Sequence, residues 1–399
     1  MQPARKPFLV MGTLFTKQHE MDYLCACLTR MGHTVRVQDL SLEHYVPHLD
    51  GSGESKIAAM EKTLRVVLSE ILPLVSQHTF AGIIALGGGV GTWLAGRIMR
   101  QMPDALPKIL LSTLPFDPRE VMGSSNIVVV PSVVDILGLN PILRAQIQRA
   151  AALLTGWAGL PVSPQTAASN VIGMTALGIT TPAVNSARAF LEAQGYEIAA
   201  FHANGSGDDA FEHFTAQGTF CAVLDMTPSA LTSHLFGGVA RCTLPRMEAA
   251  GHMGIPQVVV PGGISLVSRG PLESLGSEDR ARPHYRQNLM FTHVRLDRAQ
   301  MQHVGEVMAA KLNQSLGPTA VVVPLQGFSS EDRQGGAIYD PEGNRAFLDA
   351  LGKKLREDIC VHSIEAHINT DQFAAATSKI LLDLLGVGAK TIQGKSIAE

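Results

Sequence analysis

Aromatic residues and cysteines are both scarce in this chain. Aromatic side chains make up 5% of its 399 residues, too few for a surface that stacks nucleic-acid bases, and the net charge of −3 includes no basic block. We therefore expect no nucleic-acid partner. The five cysteines form neither a C-x-x-C motif nor a pairing pattern, which is typical of reduced thiols in a cytosolic protein.

Long apolar segments and familiar catalytic motifs are also missing. No stretch approaches a charge-free membrane span, and residues 1–11 lack the apolar core of a signal peptide. We therefore expect a cytoplasmic protein that has no membrane partner. The chain contains no H-E-x-x-H zinc helix, no cysteine cluster and no G-x-S-x-G elbow, so a serine hydrolase is disfavoured.

Glycine and short apolar runs are abundant instead. The 38 glycines, with 46% hydrophobic and only 17% charged residues, suit α/β domains that contain buried parallel strands. Short apolar runs alternate with segments of helical spacing, which predicts parallel sheets covered on both faces. The predicted strands are Phe8–Met11, Thr34–Val37, Gly82–Leu86, Lys108–Leu111, Ile127–Val130, Val171–Thr175, Glu197–Phe201, Phe220–Leu224, Gln257–Val260, Ala320–Val323 and Ile359–Ser363.

The length of the chain favours two domains. The strand pattern restarts after residues 133–160, an apolar stretch predicted to be helical throughout. We therefore predict two doubly wound, Rossmann-like α/β lobes, residues 1–168 and 169–399, with a cleft between them. The two halves begin alike, with Met11-Gly12-Thr13 and Gly173-Met174-Thr175, which indicates either an internal duplication or two independent uses of one βαβ unit.

The most informative motif is a glycine loop, Gly87-Gly88-Gly89-Val90-Gly91-Thr92, between an apolar run and a helical pattern. Glycines permit positive φ and let backbone N–H groups surround a phosphate, and the helix that follows adds its dipole. A tight strand-to-helix turn is the alternative. The loop is not a Walker A motif, because no lysine follows Gly91. It is not a dinucleotide fingerprint either, because Thr92 replaces the third glycine and the loop follows the third strand.

Other polar residues follow neighbouring strands, at the carboxyl edge where open α/β sheets bind ligands. Hydroxyl and amide groups on one edge suit a polyphosphate. Asp135 is the candidate Mg²⁺ ligand, or alternatively a helix cap, whereas Asp39 is interpreted as an ordinary loop residue. The further candidates are Gly12, Thr13 and Lys17 after the first strand, Ser112 and Thr113 after the fourth, and Ser132 after the fifth; a solvated surface lysine is the alternative for Lys17.

The second half presents acid–base candidates at its own strand ends. His202 and Asp225 each follow an apolar strand, and Glu365 and His367 follow the last one, where strand alternation would place both on one face. A carboxylate beside a histidine serves acid–base chemistry or orients a metal ligand, and a structural hydrogen-bonded pair is the alternative. The arginine-rich segment 269–287 is interpreted as a long surface excursion, either a lid or a solvated loop.

Taken together, these motifs resemble a bacterial and fungal protein family similar to the ATP-binding N-terminal region of the tomato mosaic virus resistance protein. The resemblance covers nearly the whole chain. It is carried by Gly12-Thr13 with Lys17 and Glu20, Gly87–Thr92, Met122–Asn126, Pro131–Asp135, His202-Ala203 with Gly205 and Gly207, Leu224-Asp225, Gly237–Val239, Arg246 with Glu248–Ala250, Gly254–Gln257 and His367–Asn369.

The resemblance implies a two-lobed α/β protein with an ATP site and a homodimeric state, but it implies no particular reaction. The family's usual Gly-Thr-x-Asp-Thr-Lys is here Gly12–Lys17, and Phe15 replaces the acid. If that acid binds metal or ribose in the family, nucleotide binding is weakened or altered in this chain.

The leading hypothesis is therefore a protein that binds ATP, with Mg²⁺, through its first lobe. In this hypothesis the second lobe presents His202, Asp225, Glu365 and His367 to a small metabolite in an ATP-dependent reaction. Two alternatives remain. One is a lyase, isomerase or hydrolase of a sugar or organic acid that uses no nucleotide, and the other is a non-catalytic ligand-binding protein.

Overall fold

A computed structural model of the chain describes residues 6–47, 52–115, 117–160, 170–243 and 245–395, with side chains as far as residue 386. The chain divides into two compact units, Met1–Pro164 and Gln165–Glu399. The predicted boundary between residues 168 and 169 lies outside the described residues. No helix in the described part is both long enough and apolar enough to cross a membrane.

The first unit is built on a five-stranded parallel sheet with the order β2-β1-β3-β4-β5. The strands are β1 Phe8–Gly12, β2 Val35–Asp39, β3 Gly82–Gly87, β4 Lys108–Ser112 and β5 Val128–Pro131. The helices are α1 Leu14–Arg30, α2 Leu42–Tyr45, α3 Gly53–Ser76, α4 Gly89–Met99, α5 Pro118–Met122 and α6 Pro141–Ala158.

Side chains of the central strands alternate between two apolar cores, one on each face of this sheet. In β1, Leu9 and Met11 pack in the core that contains residues of α3 and α4, whereas Phe8 and Val10 pack in the core that contains residues of α1 and α6. The whole of β1 is buried, as expected for a parallel strand covered on both sides. This double burial explains why the strands read as continuous apolar runs.

The second unit contains a six-stranded parallel sheet with the order β14-β13-β9-β8-β6-β7 and a small antiparallel sheet with the order β10-β12-β11. The strands are β6 Val171–Ala176, β7 Glu197–His202, β8 Ala222–Asp225, β9 Gln257–Val259, β10 Leu266–Arg269, β11 His284–Arg286, β12 Thr292–Arg295, β13 Thr319–Pro324 and β14 Cys360–Ile364. The helices are α7 Thr181–Glu192, α8 Ser206–Ala216, α9 Ser229–Leu235, α10 Ala249–Met253, α11 Ser277–Ala281, α12 Arg298–Leu312, α13 Pro341–Lys354 and α14 Asp371–Lys395.

The predicted fold class is confirmed, and each predicted strand corresponds to an observed one. Two element predictions are wrong. Residues 133–140 are not helical, because α6 begins only at Pro141 behind its Asn140 cap. The segment 269–287 is more than a surface loop, because it supplies the end of β10, helix α11 and strand β11.

The two parallel sheets begin with the same connectivity. The order β2-β1-β3-β4 in the first unit is matched by β7-β6-β8-β9 in the second, so β1 and β6 hold equivalent positions. In both sheets the strand that follows lies on one side of it, β2 or β7, and the next strand after that lies on its other side, β3 or β8. That reversal creates a crevice at the carboxyl ends of the strands, where doubly wound proteins bind ligands.

Candidate functional site

The crevice of the first sheet lies between β1 and β3, and it brings two sequence motifs together. Thr13 follows β1, and the glycine loop follows β3. A side chain at Gly91 would begin 3.8 Å from the Thr13 Cγ2 atom, so the two turns are in contact. The sequence predicted this meeting of the two turns on one edge.

The glycines of the loop have two different surroundings. A Cβ atom at Gly87 would lie 2.6 Å from the Gly91 carbonyl carbon and the Thr92 nitrogen, so Gly87 is required by close packing. A Cβ atom at Gly88 or Gly89 would meet nothing within 4 Å. None of these glycines has positive φ, contrary to the reason first given for them. The open side of the loop is therefore at Gly88 and Gly89.

The open glycines stand at the start of α4. Gly88 is the N-cap residue, and no side chain of the described residues caps the helix. The first-turn N–H groups of a helix have no partner within it, and together with the helix dipole they attract anions. The N-terminus of α1 differs, because Asp39 Oδ1 accepts from the Leu14 nitrogen at 3.0 Å and Ser41 Oγ accepts from the Phe15 nitrogen at 2.8 Å. Of the two helices, α4 is therefore the candidate for binding an anion.

Asp39 is therefore more than the ordinary loop residue that the sequence suggested. It ends β2, and its Oδ1 atom also accepts from the Ser41 nitrogen at 2.8 Å, so this carboxylate joins the turn after β2 to the start of α1. Phe15, where the family carries an acid, is 72% exposed. Lys17 is half-buried and has non-helical φ and ψ angles of −132° and 25°, which interrupt α1.

Three of the predicted ligand hydroxyls already have hydrogen-bond partners within the protein. Thr92, only 1% exposed, has its Oγ1 atom 3.0 Å from the Gly87 oxygen and 2.8 Å from Ser112 Oγ. The Ser112 hydroxyl also accepts from the Leu114 nitrogen, and Ser132 Oγ donates to the Val134 oxygen at 2.5 Å. The Thr92–Ser112 bond joins the start of α4 to the end of β4, and ligand binding by the three hydroxyls stays a prediction.

A cavity of about 470 Å³ adjoins the glycine loop. The two are linked by Thr113, a lining residue of the cavity, whose nitrogen donates to the Gly87 oxygen at 3.3 Å. Leu114 and Val133 line it with positive φ angles of 54° and 68°. Such angles are rare for a β-branched residue, and strain of this kind concentrates at binding sites. The lining residues are Ser112, Thr113, Leu114, Pro131, Ser132, Val133, Val134 and Asp135.

Asp135 is an exposed loop residue of this cavity and does not begin a helix. In the described part of the chain, no group of three or more His, Cys, Asp or Glu residues is arranged to hold a metal. Mg²⁺ commonly uses only one or two protein carboxylates and takes its other ligands from phosphates and water. A single exposed carboxylate such as Asp135 fits that kind of site.

Asp225, predicted to be catalytic, is part of a buried ion-pair network. It is 2% exposed, and its two carboxylate oxygens each accept from the Arg246 guanidinium at 2.7 Å. Asp208 and Glu212 accept from the same guanidinium at 2.8 and 3.1 Å. Burial raises the pKa of Asp208 although Arg246 lies beside it. Asp225 is thus engaged in a buried ion pair with Arg246, and its catalytic role stays a prediction.

Of the other three candidates of the second unit, His202 lies on one edge strand of the sheet, whereas Glu365 and His367 follow the opposite edge strand. His202 is exposed at the end of the edge strand β7. Strand β14 ends at Ile364, so alternation does not extend to Glu365 and His367. The His367 ring contacts the Ser329 oxygen at 3.0 Å through Nε2 and accepts from the Asn369 nitrogen at 3.2 Å through Nδ1. The predicted carboxylate–histidine pair is therefore not formed.

Comparison with known proteins identifies the family. A family model described as "Uncharacterised protein family (UPF0261) N-terminal domain" matches residues 6–161, and the corresponding C-terminal domain model matches residues 169–385. The chain belongs to the UPF0261 family. A UPF0261 protein of Clostridium tetani is 32% identical over 400 residues, which cover 95% of this chain and 99% of that protein.

A tomato protein is similar to this chain over part of the tomato protein's own length. The "ToMV resistance protein Tm-1(GCR237)" of Solanum lycopersicum is 32% identical over 336 residues, which cover 82% of this chain and 44% of the tomato protein. The resemblance predicted from the motifs is thereby confirmed. Among solved structures, a C2-type ketoreductase from a modular polyketide synthase aligns over 91% of this chain and 81% of its own, with 15% identity and a TM-score of 0.23, too low for an argument.

Proposed function

We propose that the first unit of this UPF0261 protein binds ATP at the carboxyl edge of its sheet. The observation that carries the proposal is the uncapped N-terminus of α4, where Gly88 and Gly89 leave open space beside the turn after β1. A phosphate group there would accept hydrogen bonds from backbone N–H groups, and Lys17 would supply a positive charge. The resemblance of the motifs to an ATP-binding region supports the choice of nucleotide.

The nucleoside would occupy the adjoining cavity. Its volume of about 470 Å³ falls within the range of about 300–1,000 Å³ that is usual for small-molecule sites. The exposed side chains of Leu114 and Val133 offer apolar contacts for a base, and the polar Thr113 and Asp135 lie among the other lining residues. Asp135 would bind Mg²⁺ together with phosphate oxygens.

Thermal unfolding with ATP and Mg²⁺ tests this proposal. Ligand at about a hundred times its Kd adds roughly 2.7 kcal/mol to the free energy of unfolding, which is a measurable rise in melting temperature. ATP with EDTA, inorganic tripolyphosphate and adenosine serve as separate arms, and each should stabilise the protein less than ATP with Mg²⁺. If no nucleoside di- or triphosphate shifts the melting temperature at millimolar concentration, the proposal is wrong.

Two further expectations from the sequence remain predictions. These are a homodimer, implied by the family resemblance, and a cytoplasmic location, expected from reduced cysteines. Light scattering coupled to size-exclusion chromatography tests the first, and fractionation of cells tests the second. Phosphate release measured with the bound nucleotide would distinguish an ATP-dependent enzyme from a protein that binds ATP without turnover.

A further inference from the structure

The first unit has a second cavity, at the edge of its sheet where the strands begin. Its volume is about 360 Å³, and it is lined by residues that precede β1, β3 and β4 and by residues at the ends of α3 and α6. The Ala81 nitrogen donates to the Pro7 oxygen at 3.0 Å, and the Ile83 nitrogen donates to the Pro107 oxygen at 2.8 Å. These bonds hold the three strand starts side by side. The amino-edge cavity is therefore on the opposite side of the sheet from the glycine loop.

The apolar lining of the amino-edge cavity comes from both cores of the unit. Val75 and Phe80 belong to the core that contains residues of α3 and α4, whereas Ala81 and Trp157 pack against the core that contains residues of α1 and α6. Trp157 is only half-buried, although Phe80 is buried. The volume lies within the range of about 300–1,000 Å³ that is usual for small-molecule sites. An apolar, partly aromatic lining suits the ring of a small organic molecule.

The ionisable side chains that line the cavity are both bases. They belong to Lys6 and His78, which are exposed and have no side-chain partner among the described residues. Lys6 supplies a positive charge, and an imidazole such as that of His78 donates a hydrogen bond whether it is neutral or protonated. None of the described lining residues is Asp or Glu. A negatively charged group in this cavity would therefore meet donors that no lining carboxylate occupies.

The nearest carboxylate in the sequence is already paired. Asp104 lies between two lining residues, Pro103 and Ala105, but its Oδ1 atom is 3.6 Å from the Nζ atom of the buried Lys108. Lys108 in turn donates to the Met102 oxygen at 2.9 Å. This carboxylate is therefore engaged with Lys108, which leaves the positive charge of the cavity unbalanced.

We propose that the amino-edge cavity binds a small aromatic carboxylate. The ring of the ligand would pack against Trp157, and its carboxylate would accept from Lys6 and His78. A carboxylate has two oxygens, which match one ammonium and one imidazole, whereas a phosphate group has three oxygens to satisfy. The cavity shares no lining residue with the one beside the glycine loop, so this assignment is independent of the nucleotide site.

Titration calorimetry and tryptophan fluorescence of the full chain, without nucleotide, test the proposal. Trp93→Phe leaves Trp157 as the single tryptophan and therefore as a local reporter. The probes are benzoate and phenylacetate, compared with phenylacetamide, phenethylamine, acetate and phenyl phosphate. We expect phenylacetate to change the Trp157 fluorescence and to bind at least about threefold more tightly than the uncharged phenylacetamide. Acetate should bind more weakly because it has no ring.

A double variant tests the two donors. Lys6→Met combined with His78→Asn removes both, and asparagine tolerates the positive φ of 52° at position 78. We expect its affinity for phenylacetate to be at least about fivefold weaker. The matched control combines Lys62→Met with His19→Asn, which makes the same changes at exposed positions of α3 and α1 that do not line the cavity. The control should bind phenylacetate with unchanged affinity.

A third variant tests the space itself. Ala105 is an exposed lining residue, so Ala105→Trp should fill the cavity without disturbing either core, and thermal unfolding verifies that the variant folds. We expect its affinity for phenylacetate to be at least about tenfold weaker. The proposal is overturned if neither benzoate nor phenylacetate binds at millimolar concentration, or if the amide, the amine or phenyl phosphate binds more tightly than phenylacetate. Unchanged affinity in the double variant or in folded Ala105→Trp would overturn it as well.

Discussion

Gly87 and Gly89 lie two positions apart, but a side chain would have opposite consequences at each. Gly89→Val should leave the fold intact, since a Cβ atom there meets nothing within 4 Å, and should weaken ATP binding at least about tenfold by filling the space in front of the α4 N–H groups. Melting temperature and ATP titration measure the two effects.

The matched control for that variant is Gly87→Ala. Its Cβ atom would lie 2.6 Å from backbone atoms of Gly91 and Thr92, so this variant should lose stability even without ligand. If folded Gly89→Val protein binds ATP with unchanged affinity, the loop is only a tight turn between β3 and α4.

His293 should make the second unit sensitive to acid. Burial holds its pKa at about 4, compared with 6.5 for an unperturbed histidine. Between these two pH values, the His293 imidazole is therefore mostly protonated in the unfolded chain and mostly neutral in the folded chain. The stability that follows is fully present above about pH 6.5 and is lost as the pH falls toward 4, a loss of about 3 kcal/mol.

Urea unfolding of His293→Asn across this pH range measures the contribution. The variant should show a smaller loss of unfolding free energy on acidification than the unaltered protein does. His202→Asn, at an exposed position, controls for the substitution itself. Equal pH dependence in the His293→Asn variant and the unaltered protein would contradict the assignment.

At the scale of elements, one guanidinium joins helix α8, strand β8 and the segment before α10. Arg246 contacts Asp208 and Glu212 of α8 and Asp225 of β8, and Glu212 also accepts from the backbone nitrogens of Met247 and Ala249. Arg246→Met would leave three buried carboxylates without a cation. We expect a loss of about 3–5 kcal/mol or more in unfolding free energy.

Acid should partly compensate that variant. Burial already raises the pKa of Asp208, and removal of the guanidinium would raise it further, so the folded variant binds a proton more readily than its unfolded chain. Its deficit relative to the unaltered protein should shrink as the pH falls below neutral. Arg119→Met breaks an exposed pair with Asp117 and should change stability by less than about 1 kcal/mol.

The sequence predicted elements well where the signal was local. Buried parallel strands are continuous apolar runs, and their carboxyl ends share an edge, so the meeting of Thr13 with the glycine loop was foreseeable. The strands β10 to β12 have only three or four residues each and carry charged side chains, which leaves no distinctive pattern. The shared face of Glu365 and His367 required strand alternation to continue beyond the last strand, but β14 ends at Ile364.

The hydrogen-bond partners of the predicted site residues could not be foreseen for a different physical reason. Thr92 bonds Ser112 from 20 positions away, and Asp225 binds Arg246 from 21 positions away. A hydroxyl or carboxylate that is committed to such a partner looks the same in sequence as one that is free for a ligand. Only the packed strands decide which of the two it is.

At the scale of the molecule, each buried core cluster is composed of residues from one unit. The clusters of the first unit lie within Phe8–Leu154 and those of the second within Ile172–Leu381. Residues 1–164 and 165–399, produced separately, should therefore each unfold cooperatively. Circular dichroism with denaturant tests this. ATP should stabilise the piece that contains residues 1–164 and should not stabilise the piece that contains residues 165–399. Aggregation of both pieces, or a first piece without cooperative unfolding, would contradict it.

The shared strand order of the two sheets bears on how the chain is made. Two sheets that begin with the same order could exchange strands during folding, a known failure of chains with similar domains. The first sheet and its last helix are complete at Ala158. At about 5–20 residues per second, the ribosome then needs on the order of ten to fifty seconds to reach residue 399. Because the first unit is synthesised first, its sheet can form before the ribosome has made the strands of the second unit, which could otherwise pair in their place.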